Sequence, residues 1–563
     1  MPWKARVLNE GATGEGATPW RFEPWLFAAF AVIAVAPIWT VSIFPTVDGP
    51  AHLAITHVWS TMDRPEGAHF RDFFVENVSL FPNWFCYAAL AALMKFLSPF
   101  AADRVLVTLF GLSLAGAARF ALGAIDRRAK PAAFLVLPLV FNYTLIGGMY
   151  NFNFGIVGFL LCLGIFVRSD GLRSWPGVAM FVPALLFAGL AHLSAVALTG
   201  LSLGIYTIGL FLRDMTSSRE AAIGRLWSRG SRLFLASLPG LVPSLLFLSG
   251  MTGPGEAAFE TPSLTAAQYT VPIYKRILGP LAGVVVWHTT DWAPLIRGTL
   301  AAAFIISGLF AWRLSRLGWR HPVVLVFVFL LAFYLLAPNQ IDVRWIAERM
   351  LVYLHVAMAL LAGTALAMAR DPMLFRGFRM FVVGIGCLSV VLGSTLKTVT
   401  LGDLDADFAE LLSGAEAVAP ESTVLLLRVI RPGDDVTVVE SETLAFQAGG
   451  YYTVLRNTID VRLVQAATNT VPIKFVRGRN VYQEWVTDRD MAIGLPMLEF
   501  ENFERVMGYP LDYVIVWGRL DQFEDDRKQA FLGRLTPYYQ QVFQSRETGR
   551  LRVFQRIGMV GEP

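Results

Sequence analysis

Charge is scarce in this chain. Asp, Glu, Lys and Arg make up 16% of its 563 residues, against about 25% in an average soluble domain. Long apolar runs take their place, which excludes a purely soluble enzyme, an intrinsically disordered chain and coiled-coil or collagen-like classes. Cysteine is scarcer still: Cys86, Cys162 and Cys387 stand alone, without a CxxC or CxxH spacing. Each lies in or beside an apolar segment, where Cys behaves as a small hydrophobe, so neither a disulfide framework nor a metal site is expected. No GxGxxG, GKS/GKT or HExxH motif stands at a strand–helix junction, which leaves nucleotide-binding and zincin readings unsupported. The net charge of +4 is small and scattered, so no nucleic-acid partner is expected. What the chain does have is 55% hydrophobic residues in runs long enough to cross a bilayer. It reads as an integral membrane protein.

Eleven runs are candidate spans: 25–44, 102–124, 131–147, 152–167, 177–191, 194–212, 233–250, 294–312, 322–337, 345–369 and 379–398. The first starts too late, and lacks the small-residue cleavage site, to be a signal peptide, so it reads as a retained anchor. The pair within 177–212 must divide around Ala191-His192. Segment 81–98 is apolar enough to span, but counting it would place Arg127, Arg128 and Lys130 outside. Laying it in the interface keeps them inside, as the positive-inside rule favours. The other Arg clusters (Arg168/Arg173, Arg213–Arg232, Arg313–Arg320, Arg370–Arg379) then fall on the same side. The N-terminus is expected in the cytoplasm and the C-terminus outside the cytoplasmic membrane.

Residues 1–20 have no apolar periodicity and read as a flexible cytoplasmic tail. Residues 21–400 form the membrane module, with an outer loop at 45–101. Residues 403–563 alternate strand-like runs (TVLLLRV, LDYVIVWG, LRVFQRI) with helical ones (DDRKQAFLGRL), and are expected as an α/β domain on the outer face. The expected fold class is thus an α-helical polytopic membrane protein of about eleven spans carrying a C-terminal extracytoplasmic α/β domain.

Four places could carry chemistry. Asp48 lies in Pro45-Thr-Val-Asp-Gly-Pro-Ala-His-Leu53, directly outside the first span. A helix opening at Pro50 would hold its carboxylate near a positive dipole end, with His52 one turn on. The plain alternative is a helix cap and a solvated His. Arg344, Glu348 and Arg349 lie at the outer start of the run 345–369; Arg344 and Glu348 share a helical face. Arg is the natural partner of a phosphate, and an intramembrane ion pair or snorkelling anchors are the alternative. His192 sits at the break between two spans. Asn151, in Tyr150-Asn-Phe-Asn153, could bind hydroxyls or cap a helix. All four fall on the same expected side of the membrane.

This arrangement resembles the polytopic glycosyltransferases of the GT-C fold, which use polyprenyl-phosphate-linked sugars. The likeness rests on Asp48 in the first outer loop and on an interfacial helix opening with Phe81-Pro-Asn-Trp84. It rests also on Asp103-Arg104 opening the next span, the run of spans, and the terminal α/β domain. Protein O-mannosyltransferases and lipid A aminoarabinose transferases share the plan. The resemblance implies inverting transfer from a polyprenyl-phosphate sugar donor to a glycan, lipid or protein acceptor at the outer surface. Asp48 would be the general base, and Arg349 and Arg344 the partners of the leaving phosphate. Glu348 would orient one of them; His52, His192 and Asn151 would be polar contacts. It assigns no residue to a metal and no resident cofactor. Asp48 lacks the paired acidic neighbour of some relatives, and Phe-Pro-Asn-Trp replaces the aminoarabinose enzymes' Lys-Pro-Pro-Leu, so no particular sugar carries over. A lipid-linked glycan transporter or flippase would favour inverted repeats and midplane charges, which are not evident. A non-catalytic envelope assembly protein is the third reading.

Overall fold

The computed structural model describes residues 21–77, 82–250, 271–282, 318–338, 344–429, 447–467, 470–485 and 495–558, with short pieces at 267–268, 305–306, 308–309, 340–341, 438–439 and 442–443. The expected tail 1–20 and most of the expected span 294–312 lie outside the described residues.

The described part is mostly helical. Helix α1 (Glu23–Val35) runs on as a 3-10 turn to Trp39, and α2 (Gly49–Thr61) follows after the loop carrying Asp48. Next come α3 (Trp84–Leu93), α4 (Pro99–Ile125), α5 (Tyr150–Arg168), α6 (Trp175–Ala191), α7 (Leu193–Asp214) and α8 (Arg219–Gly250). After the described remnants of 267–309 come α9 (Pro322–Leu336), α10 (Ala347–Met368) and α11 (Pro372–Leu412). Six of these, α4, α5, α7, α8, α10 and α11, are long and apolar enough to cross a membrane. The protein is therefore a multi-pass membrane protein. With 10 residues, α3 is about 15 Å long, half the hydrocarbon thickness, as suits a helix lying in the interface.

Two expectations need correction. The run 131–147 is not one spanning α-helix. It forms 3-10 runs at Arg127–Leu135 and Leu137–Phe141 and one α-turn at Tyr143–Ile146. Pro131 and Pro138 explain this, because each removes a backbone donor and clashes with the preceding turn. Nor do Arg344 and Glu348 share a helical face: Arg344 lies in the short strand Arg344–Trp345, paired with Gln340–Ile341, and α10 begins only at Ala347. The break near Ala191-His192 is where the sequence placed it, and His192 Nδ1 accepts from the Ser194 amide at 3.2 Å, capping α7.

Ion pairs mark one end of the bundle. Arg119 on α4 makes a bidentate contact with Glu23 at the start of α1, at 2.6 and 2.7 Å. Arg229 on α8 reaches Asp214 at 3.0 Å and Asp170 at 3.3 Å, and Arg225 reaches Asp214 at 2.8 Å. The opposite end therefore gathers the loop after α1, the starts of α4 and α5, and the α6–α7 break.

The C-terminal part holds a mixed five-stranded sheet of β1 (Thr423–Val429), β2 (Ile459–Asp460), β3 (Tyr513–Gly518), β4 (Tyr539–Gln544) and β5 (Leu551–Arg556), in the order β4-β5-β3-β1-β2. Strands β3, β1 and β2 are parallel; β5 runs antiparallel to β3 and β4. Every residue of β1 and β3 is buried, as expected of central parallel strands with apolar runs. Helix α12 (Gly449–Arg456) and α13 (Asp525–Leu535) complete it.

This part is built onto the segment after α1 rather than tethered to it. Ile473–Phe475 pairs antiparallel with Phe74–Glu76, in the register Phe74↔Phe475. Ala51, Ala54, Ile55 and Val58 of α2, with Phe70 and Phe74, share one core with Leu425, Leu427, Val514 and Phe554. On the other flank Phe408 of α11 packs its ring 6.0 Å from Trp517, and Glu410 accepts from Arg550 at 2.6 Å.

Candidate functional site

Asp48 occupies the N-cap position of α2, but its side chain makes no capping bond. Thr46 does that work: its hydroxyl accepts from the Gly49 amide at 3.0 Å. The Asp48 carboxylate turns instead toward the C-terminal part. Its Oδ1 accepts from Gln465 Nε2 at 3.1 Å and from Gln447 Nε2 at 3.4 Å. Gln447 lies just before Ala448, the N-cap of α12, whose Gly450 fits against the Pro50 carbonyl so closely that a Cβ would lie 2.3 Å from its oxygen. That close approach is what delivers Gln447 to Asp48.

The loop before α5 clasps Asp48 from the other side. Val47 donates to the Ile146 carbonyl at 3.0 Å. Gly148 has φ +80°, and a Cβ there would fall 2.6 Å from the Asp48 nitrogen. Buried Asn142 and Asn153 hold this loop in shape: Asn142 Nδ2 donates to Asn153 Oδ1 at 2.8 Å, and Asn153 Nδ2 donates to the Met149 carbonyl at 2.9 Å.

His52 is buried one turn along α2. Its Nε2 lies 2.9 Å from the Gly148 carbonyl and its Nδ1 2.8 Å from the Tyr87 hydroxyl. A carbonyl can only accept, so Nε2 carries the proton and Nδ1 accepts from Tyr87. Burial pushes the imidazole pKa down to about 4, partly offset by the Gly148 bond. His52 is thus neutral, with both nitrogens engaged inside the protein, and braces the Gly148 loop. Asn151 is also engaged: its carbonyl oxygen accepts from Cys86 N and its amide donates to Asn83 O, each at 2.9 Å. It anchors the start of α3, which in turn presents Tyr87 to His52.

Sequence reading missed a second carboxylate. Asp103, on the first turns of α4, is buried and hydrogen-bonded to the Tyr150 hydroxyl. Tyr150 stands 3.1 Å from the Thr46 hydroxyl and its ring lies 5.3 Å from that of His52. Asp103, Tyr150 and Thr46 therefore form a chain leading to the Gly49 amide beside Asp48. Asp103-Arg104 was visible as the opening of a span and Tyr150 as part of an aromatic junction. Gln447 and Gln465 carry no local signal at all.

A second cluster surrounds Phe152. The His192 ring meets it edge-on at 5.4 Å, the Tyr353 ring at 5.7 Å, and the Arg349 guanidinium lies 5.9 Å from its centre. The structure thus brings Arg349 and His192 together, and Asp48 and His52 together. Tyr150 and Phe152, two residues apart on α5, anchor the separate clusters; positions i and i+2 point to different sides of a helix. The side chains of Arg344 and Glu348 lie outside the described residues. Among the described residues no group of three or more His, Cys, Asp or Glu could hold a metal ion.

No family model matches the chain, and no curated protein matches it. Among solved structures, the arabinofuranosyltransferase AftD from mycobacteria is similar, with 15% identity and a TM-score of 0.47. The match covers 96% of this chain and 40% of that one. The chain therefore spans less than half the length of that protein.

Proposed function

We propose that the protein is an inverting glycosyltransferase of GT-C type. It moves a sugar from a polyprenyl-phosphate donor to an envelope acceptor at the outer face of the cytoplasmic membrane. The observation that carries the reading is the Asp48 carboxylate. It follows the first apolar helix, is released from capping by Thr46, and is held between the helical bundle and the C-terminal sheet. A carboxylate so placed can accept the proton of an attacking hydroxyl. The ion-paired end of the bundle carries the Arg-rich segments, which supports placing that end in the cytoplasm and Asp48 outside.

In the proposed reaction the acceptor oxygen attacks the anomeric carbon as its proton passes to Asp48. The bond from that carbon to the phosphate oxygen breaks, and the electron pair leaves with the polyprenyl phosphate. Arg349, beside Phe152 and His192 at the same end of the bundle, is the candidate partner of that phosphate. Arg344 and Glu348 belong to the same segment and are secondary candidates. His52 and Asn151 hold the site's framework.

The test uses full-length protein in nanodiscs with a panel of short-chain polyprenyl-phosphate sugars. Asp48→Asn should lower turnover by about 10²- to 10⁴-fold with little change in donor affinity. Arg349→Ala should weaken donor binding, and Arg349→Lys should recover only part of it, since a point charge does not replace a planar fork. Full turnover in Asp48→Asn would overturn the role given to that carboxylate.

A further inference from the structure

The two glutamine amides on Asp48 have a property that the transfer chemistry alone does not require. An ionised carboxylate only accepts hydrogen bonds, so Gln447 must present its NH₂ to Asp48 and direct its carbonyl oxygen away. Gln447 is 6% exposed as a residue, and its Oε1 is buried without a hydrogen-bond partner among the described residues. Buried polar atoms are nearly always satisfied, and an orphan at a candidate site points to a missing ligand group. The absent group must be a donor, and it must sit within one carboxamide of Asp48. A hydroxyl fits both demands, since it donates once and accepts twice. The carboxamide is neutral, so it offers an anionic or cationic substrate no charge to pair with.

We propose that Gln447 and Gln465 are positioning residues for a neutral, polyhydroxylated acceptor. Both amides hold the Asp48 carboxylate in place, while Gln447 Oε1 receives a second hydroxyl of the same acceptor, neighbouring the one whose proton Asp48 takes. The acceptor is then a glycan hydroxyl rather than a charged headgroup or a peptide side chain. This rests on the transferase reading for its chemistry but not for its binding.

Two measurements separate them. The first is saturation-transfer NMR on the full-length protein in nanodiscs, with methyl α-mannopyranoside and methyl β-galactopyranoside as neutral probes and methyl β-glucuronopyranoside as the anionic one. A neutral probe should bind the wild type and bind Gln447→Met, which keeps the shape but loses both hydrogen-bonding ends, roughly three- to tenfold more weakly. Gln447→Glu should weaken it as well, because a second carboxylate would repel Asp48. The second is transfer from the polyprenyl-phosphate panel, where the Gln447→Met loss should fall on acceptor KM more than on kcat. Equal probe binding by the wild type and Gln447→Met, no binding of either neutral probe, or preference for the glucuronide would each overturn the inference. Donor cleavage that vanishes in Asp48→Asn, with acceptor KM untouched in Gln447→Met, would overturn it while leaving the transferase reading intact. Gln447-dependent binding of neutral glycosides by a protein that cleaves no donor would support it and sink the transferase reading instead.

Discussion

Gly148→Ala should cripple the clasp around Asp48, and the cost can be worked from the structure. Gly148 has φ +80°, and a Cβ would lie 2.6 Å from Asp48 N, 2.7 Å from its Cβ and 2.9 Å from its Cα. None of these atoms can rotate away, so either the backbone moves or the loop opens. The left-handed conformation costs an L-residue about 1–2 kcal/mol. Overpacking against fixed atoms adds about 1–3 kcal/mol, giving roughly 2–5 kcal/mol together. Gly147→Ala is the internal control. Its φ is −63°, and its Cβ would meet the Tyr143 carbonyl at 3.3 Å. There the loss of chain entropy in the unfolded state should leave stability unchanged or raise it by about 0.4–1 kcal/mol. The assay is denaturant unfolding of both full-length variants in micelles, with hydrogen exchange read at residues 46–52. Gly148→Ala should lose stability globally or, if the loop opens locally, lose protection at the His52 amide, which donates to the Asp48 carbonyl at 3.0 Å. Equal stability and equal protection in the two variants would refute the clasp.

Three further outcomes are expected. His52 should make the fold acid-sensitive: its folded pKa of about 4 lies below the unfolded value, so the unfolded chain binds the proton more readily between them. The stabilisation, on the order of 3 kcal/mol, is complete above about pH 6.5 and lost as pH falls toward 4; the slope of stability against pH should flatten in His52→Gln, and an unchanged slope would refute it. A fragment of residues 403–563 should fail to unfold cooperatively, because it lacks the strand Phe74–Glu76 and the α2 side chains that complete its core; sharp near-UV dichroism and a cooperative melt would count against this. A phosphatase reporter fused after residue 400 should be active outside the cytoplasm and one fused near Ser217 inactive; activity of both or neither would undo the orientation.

The sequence by itself determined the membrane class, because a run of about twenty apolar residues has few other stable environments. It determined the helix break at His192, set by local composition, and the distribution of Arg and Lys argued for laying 81–98 in the interface. It singled out Asp48 as well, since a carboxylate next to Gly-Pro directly after an apolar helix is visible as a pattern. Hydropathy overreached at 131–147, where apolarity was read but the missing amides of Pro131 and Pro138 decided the backbone. Only the tertiary structure decided what Asp48 touches. Gln447 and Gln465 lie some four hundred residues downstream, and no period or motif links them to it. Asp103 reaches the same loop through Tyr150 and Thr46, one partner from each of three separate segments. The pairing of Phe74–Glu76 with Ile473–Phe475 belongs to the same class. Both strands are only three residues long, too short to announce themselves, and each is stable only because the other is held beside it. Local propensity places the charged and apolar residues along the chain, whereas the partners of a buried polar group are set by whichever distant segments the shared core brings together.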